Sequence, residues 1–365
     1  MAESVPPVSP DEAVPIASSD EAAPIASLAE IAETLAHLPG PDEEARAAAR
    51  AREAGLTKPP GALGRLEELA EWLAAWQGRH PPRLDRPRVA VFAGNHGVAR
   101  RGVSAWPASV TAEMVQNFIA GGAAVNAICG ALDAELRVYE LSLEAPTADF
   151  TRSPAMTDEE CARAVAYGMM AVEPGIDALA IGEMGIANTT SAAAIAHALH
   201  GGRAEDWTGP GTGVSGTRLE AKVEAVRLGA ALHGSRPPLE VLRRLGGFET
   251  AAMFGALVAA RMGRVPVVLD GYGAAAAAAV LHALDPTGLD HCQAGHLSAE
   301  PAHGRLLALW GKAPLLDLGM RLGEGSGAAL ALALLRAAAR CHAEMATFES
   351  AGVSGPETRS PDDGG

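Results

Sequence analysis

Short apolar runs alternate with long alanine-rich stretches over most of this chain. The runs at 88–94 (RVAVFAG), 136–141, 178–181, 265–269 (VPVVL) and 314–318 have strand length and are apolar enough to be buried on both faces. Most lead into a glycine-rich turn and then a stretch of helical length, at 110–131, 189–200, 219–232, 249–261 and 328–345. Strand, turn and helix in repetition predict an α/β fold with an open parallel sheet flanked by helices on both faces. Ahead of the first strand the period changes. Leu66, Leu69, Leu73 and Trp76 recur at helical spacing with Glu67, Glu68 and Glu71 between them, which predicts a small helical subdomain beside the sheet. Residues 1–27 hold a near-duplicate, DEAVPIAS and DEAAPIAS, in a Pro, Ala and acid-rich setting. Such a segment buries too little apolar surface to offset its ordering entropy and reads as a disordered tail. Residues 351–365 read as a second loose end.

Composition narrows the picture. Aromatic residues are 4% of the 365, so aliphatic, alanine and glycine packing must make the core. A formal charge of −15 repels phosphate backbones and anionic lipid, which argues against nucleic acid or a membrane surface as partner. It leaves room for a small phosphorylated substrate, which needs only local donors. The four cysteines are widely spaced and without a CxxC, as expected of reduced thiols in a cytoplasmic protein.

Three loops at expected strand ends carry candidate chemistry. In Gly182-Glu183-Met184-Gly185-Ile186-Ala187-Asn188-Thr189, Asn188 or Thr189 caps the next helix, whose free N–H groups suit an anion; a capped helix behind a tight turn is the plainer reading. Gly209-Pro210-Gly211-Thr212-Gly213 lets a backbone approach a ligand, though it lacks both the P-loop ending and the dinucleotide fingerprint. Lys222 follows on a helix and is one of three lysines against 26 arginines; a solvated helix face is the alternative. In Arg321-Leu322-Gly323-Glu324-Gly325, a glycine-flanked carboxylate in apolar surroundings would have the raised pKa a general base needs, unless it only caps a helix. His291, His296 and His303 with Cys292 match no established zinc spacing, so no metal is expected. His96 reads as a structural histidine bonded to backbone at its turn, and Met114 as core.

Taken together, KPPGALGRLE (58–67), FAGNHGV (92–98), GVSAWPASVT (102–111), GEMGIANTTS (182–191), GGFETAAM (246–253), VLDG (268–271), SAEP (298–301) and RLGEGSGAA (321–329) follow one another in a known order. The chain resembles the nicotinate-nucleotide:dimethylbenzimidazole phosphoribosyltransferase family, which makes the lower-ligand nucleotide of cobalamin. The resemblance implies transfer of ribose 5-phosphate from nicotinate mononucleotide to 5,6-dimethylbenzimidazole, with inversion at C1′ and no cofactor or metal. It implies Glu324 as general base and Glu183 as second acid. For phosphate and ribose it implies Gly182, Met184, Gly185, Asn188, Thr189, Gly211, Thr212, Gly213, Lys222 and Ser298. For the flat base it implies Trp106, Pro107, Met114, Leu322 and Gly323, which takes Met114 out of a purely core role. Pro210 stands where many relatives have Arg, and Asn95 where many have Asp. The implied organisation is a helical part of the small domain at 28–85, an α/β catalytic domain at 86–327 and a C-terminal helix at 328–350 joining the small domain, with a homodimer as the assembly. The same transfer to another acceptor and a non-catalytic nucleotide binder are the competing expectations. A nicotinamide-linked oxidoreductase is disfavoured by the missing GxGxxG.

Overall fold

A computed structural model describes residues 27–354; of the expected tails, residues 1–26 and 355–365 lie outside these, and Ala351 of the second closes a short helix, Phe348–Ala351. Five strands form one sheet: β1 (Pro87–Gly94), β2 (Glu135–Leu141), β3 (Ala178–Met184), β4 (Val267–Leu269) and β5 (Cys292–Ala294). All pair in parallel, in the order β2-β1-β3-β4-β5. Val89, Ala90, Val91, Phe92 and Ala93 are all fully buried, so both faces of β1 are covered. That explains why β1 reads as an apolar run rather than as an alternation.

Two expectations about elements are corrected. Residues 314–318 form no strand; Leu316 makes a single parallel bridge with His296, and the segment runs half-exposed into Gly319 at φ +66. The fifth strand is β5, hidden in the sequence because Gln293 and the flanking His291 interrupt its apolar run. The stretch expected to be helical over 110–131 is two helices, Ser109–Ile119 and Ala124–Ala131. Gly121 breaks it at φ +79, and the Asn126 side chain folds back to the Phe118 carbonyl at 2.9 Å. At 11 and 8 residues these helices are about 16 and about 12 Å long, short of a bilayer's ~30 Å hydrocarbon core.

Small residues let the layers close up. The helices Asp158–Met169 and Phe248–Met262 meet backbone to backbone, since a Cβ on Gly168 would lie 1.8 Å from the Ala252 carbonyl oxygen and one on Gly255 2.0 Å from that of Val165. The helix Tyr272–Leu284 is buried from Tyr272 through Leu281, six consecutive alanines included. Cys129, Cys161 and Cys292 are buried, and burial pushes each thiol up to about 12; Cys341 is half-buried.

The chain divides into two compact units. One takes in the sheet, residues up to Gly40 and Asp85–Ala333; it includes the helix Leu28–Leu35, whose Ile31 is buried. The boundary thus falls at Gly40 rather than ahead of residue 28. The other comprises Pro41–Leu84 and the chain from Leu334. Its helices Glu43–Gly55 and Arg65–Gln77 carry an ionic network in which buried Lys58 meets Glu53 at 3.0 Å and Glu67 at 2.8 Å. Arg52 closes the end of the helix Ser326–Glu344, donating to the carbonyls of His342, Ala343 and Met345.

Candidate active site

The chain leaves β1 for β2 on one side and returns to β3 on the other, so the carboxyl ends of β1 and β3 bound a topological switch point, the usual ligand crevice of an open α/β sheet. Glu183 sits there, next to last in β3. Gly182 before it has no room for a side chain: a Cβ would stand 2.1 Å from the Gly325 nitrogen. The loop carrying Glu324 therefore lies directly on β3, with the Glu324 N–H donating to the Glu183 carbonyl at 3.1 Å.

Three successive residues of that loop are left-handed, Gly323 at φ +83, Glu324 at +65 and Gly325 at +76. For a glutamate this conformation costs free energy, on the order of 1–3 kcal/mol, and has to be held by its surroundings. Asp270, one residue beyond β4 and 1% exposed, does much of the holding. Its Oδ2 accepts from the Gly325 N–H at 3.1 Å and its Oδ1 from the Ala328 N–H at 2.9 Å, in the first turn of the helix Ser326–Glu344.

The acids crowd one another in a buried setting. Burial, then the nearby charges of Asp270, Glu249 and Glu324, push the Glu183 carboxyl up to about 8. Burial and Asp270 push Glu324 up to about 7. Asn188 donates to Glu183 in a short hydrogen bond. Glu249, wholly buried at the start of the helix Phe248–Met262, goes the other way. Its burial is outweighed by His96, whose Nε2 lies 2.9 Å from Glu249 Oε1, and by the Thr250 hydroxyl. His96 is thus bonded to a carboxylate, not to backbone as its turn position led one to expect.

Beside the acids lies an anion-ready end. Lys222 is 1% exposed, and its Nζ donates to Thr189 Oγ1 and to the Gly209 carbonyl, each at 2.8 Å. Burial brings its pKa down to about 8, against the pull of Glu300. Asn188 and Thr189 begin the helix Asn188–His200, so this cation and a helix N-terminus face the same region. Gly211, at φ +55, gives its N–H to Glu300 Oε1 at 2.9 Å, while Thr212 and Gly213 are exposed. Ser298 is buried; its N–H donates to His303 Nδ1 and its hydroxyl accepts from the Glu300 N–H. Arg321 Nη1 reaches the Gly211 carbonyl at 3.3 Å, tying the Glu324 loop to this turn.

The residues assigned to a flat base are less enclosed. Trp106 is 53% and Leu322 51% exposed, Pro107 is exposed, and Met114 and Gly323 are half-buried. Met114 lies one turn along from Thr111, whose hydroxyl accepts the Ile186 N–H at 3.1 Å and fastens the helix Ser109–Ile119 to the loop holding Met184 and Gly185. His296 stands 3.3 Å from Asp270, and His291 bonds the Leu257 carbonyl at 3.1 Å. Among the described residues no group of three or more His, Cys, Asp or Glu side chains converges as a metal site would require.

Asp270, Glu249, Thr111 and Glu300 escaped the candidate residues singled out in the sequence. Asp270 had a signal: an acid immediately after an apolar strand run. Glu249 and Thr111 had none without the three-dimensional pairing.

A doubly wound parallel sheet with raised-pKa carboxylates at its switch point and a buried ammonium beside them defines an α/β enzyme built for an anionic substrate and proton transfer. The family model described as phosphoribosyltransferase matches residues 38–353. The nicotinate-nucleotide–dimethylbenzimidazole phosphoribosyltransferase of Brucella anthropi is 59% identical over 325 residues, covering 88% of this chain and 96% of that protein. The enzyme of the same name from Rhizobium meliloti is 60% identical over 327 residues, 89% of this chain and 96% of the relative. A crystal structure of that enzyme from Thermus thermophilus superposes with a TM-score of 0.80 at 44% identity, over 86% of this chain and all of the other. The chain belongs to the nicotinate-nucleotide–dimethylbenzimidazole phosphoribosyltransferase family.

Proposed function

We infer that this protein transfers ribose 5-phosphate from nicotinate mononucleotide to 5,6-dimethylbenzimidazole, giving α-ribazole 5′-phosphate and nicotinate. Family membership supports the reaction. The observation that carries the mechanism is the Glu324 carboxyl, held at the switch point with its pKa raised to about 7 by burial and Asp270. A carboxylate so placed is half-ionised near neutrality, where general-base transfer is most effective. It takes the azole N–H proton while the other azole nitrogen attacks C1′ from the face opposite nicotinate. The C1′–N bond to nicotinate breaks with its electron pair going to the ring nitrogen, so a cationic pyridinium leaves as a neutral ring and the anomeric centre inverts. Glu183, with its pKa near 8, is largely protonated at neutral pH; it hydrogen-bonds the ribose hydroxyls and avoids a second full negative charge beside Glu324. Lys222, Thr189 and the start of the Asn188–His200 helix take the phosphate. Trp106, Pro107, Met114, Leu322 and Gly323 border the benzimidazole, for which an aromatic ring and a thioether are suited.

In this reading the protein works as a cytoplasmic homodimer, a state that sedimentation of the purified chain measures. The deciding assay is incubation with nicotinate mononucleotide and 5,6-dimethylbenzimidazole, followed chromatographically for nicotinate and α-ribazole phosphate. Both products are expected from the wild type. Their absence, with adenine and phenols also tried as acceptors, would leave a nucleotide-binding protein without this activity.

A further inference from the structure

Glu300 is a buried carboxylate that the mechanism above does not use. It is 5% exposed and lies just ahead of the helix Pro301–Leu309. Its oxygens stand 2.9 and 3.3 Å from the Gly211 nitrogen, and they press so closely on the same turn that a Cβ at Gly209 would lie 2.2 Å from Oε1. The turn is gripped from its other side by Lys222, whose Nζ donates to the Gly209 carbonyl at 2.8 Å. Carboxylate and ammonium thus share one glycine-rich turn without a direct ion pair. Charged and titratable groups around them include Arg321 on the Gly211 carbonyl; Tyr272, whose hydroxyl donates to the Trp207 carbonyl and whose ionisation Glu300 opposes and Arg305 favours; and His303, whose backbone N–H donates to the Glu300 carbonyl and which burial brings down to about 4.

We propose that Glu300 is a positioning residue for substrate phosphate: it fixes the 209–213 turn through the Gly211 amide and acts as the counter-charge that keeps Lys222 an ammonium until phosphate arrives. The inference rests on the reading that phosphate binds at Lys222. A buried lysine loses its proton readily, and the physical cost falls on affinity for an anion rather than on the chemical step. Burial already brings Lys222 down to about 8, and Glu300 is the group that opposes this. The amide bond explains a further detail. Gly211 spends its N–H on Glu300, so the turn contributes geometry more than a donor of its own.

The test measures kcat and KM for nicotinate mononucleotide across pH in the wild type, Glu300→Gln, Glu300→Asp and Lys222→Met. Glutamine keeps an oxygen for the Gly211 N–H but loses the charge. The alkaline limb of kcat/KM is expected to move down by about one pH unit in Glu300→Gln, with the loss in KM rather than kcat. Glu300→Asp, which keeps the charge, is expected to leave the limb in place. A Glu300→Gln limb that coincides with the wild type overturns the proposal. If Lys222→Met leaves KM unchanged, the phosphate reading itself fails and the role of Glu300 goes with it. If Lys222→Met raises KM while Glu300→Gln does nothing, only Glu300 is misassigned. Binding of inorganic phosphate to the wild type needs no variant: its affinity is expected to fall as pH rises through about 8, and a flat profile from neutral to alkaline pH would count against the proposal.

Discussion

Glu324 combines two costs, a left-handed backbone and a buried carboxyl, and both have the same source. The residue is displayed at the tip of a turn that packs on β3, where only glycines fit on either side of it. The conformation presents the carboxyl, and the enclosure raises its pKa. Since the base works ionised, activity should fall as pH drops through about 7, which the acid limb of kcat/KM reports. Glu324→Gln is expected to lower kcat by about 10²- to 10⁴-fold while nicotinate mononucleotide still binds, and to remove that limb from what activity remains. A variant that retains full activity would move the base to another group, with Glu183 the nearest candidate.

At the scale of elements, close approach rather than side-chain bulk decides the packing. Gly168→Ala puts a methyl into the Ala252 carbonyl and is expected to destabilise by about 2–3 kcal/mol in denaturant unfolding, despite alanine's better helix propensity. Gly130→Ala, in the helix Ala124–Ala131 with nothing within 4 Å of the new carbon, should be neutral or stabilise by up to about 1 kcal/mol. Opposite signs for one chemical change would establish that the crossing is what matters. The same physics sets what could be read from the chain. β1, β3 and β4 are legible because strands covered on both faces leave apolar runs, and the edge strand β2 shows through Leu136, Val138, Tyr139 and Leu141 despite its charged residues. β5 is not, because three residues with a glutamine at the centre carry no such run, and 314–318 differs from the expected strand because a half-exposed apolar segment at the sheet edge pairs through one bridge only. Glu324 stands out through its glycine setting and Lys222 through the rarity of lysine, whereas Glu183 enters only with the family resemblance. Asp270 and Glu249 do not stand out, since their importance lies in amides and a histidine brought to them from far along the sequence.

Over the whole molecule, the site works against stability. Glu183 and Glu324 have folded pKa values above their unfolded ones, so each contributes stability that is fully present below about pH 4.5 and lost as pH rises towards about 8 and about 7 respectively. Glu249, held below its usual range by His96, contributes in the opposite sense, and its part is lost on acidification. Buried His291 and His303, brought down to about 3 and about 4, add stability as pH rises towards 6.5 and offset the two acids there, so a net decline is expected between about pH 6.5 and about 8, steepened by the −15 charge. Glu183→Gln should melt higher than wild type at pH 8 and show a flatter dependence; an unchanged slope would mean the crowding of acids is relieved in solution.

The distribution of the four cysteines has a practical consequence. A thiol reagent attacks the thiolate, and burial denies that form to Cys129, Cys161 and Cys292 in the folded chain. The native protein should therefore give up Cys341 first, and the other three only as its fold opens. A colorimetric thiol count makes this protein its own unfolding reporter, and a dye placed on Cys341 leaves the residues around Glu324 unlabelled.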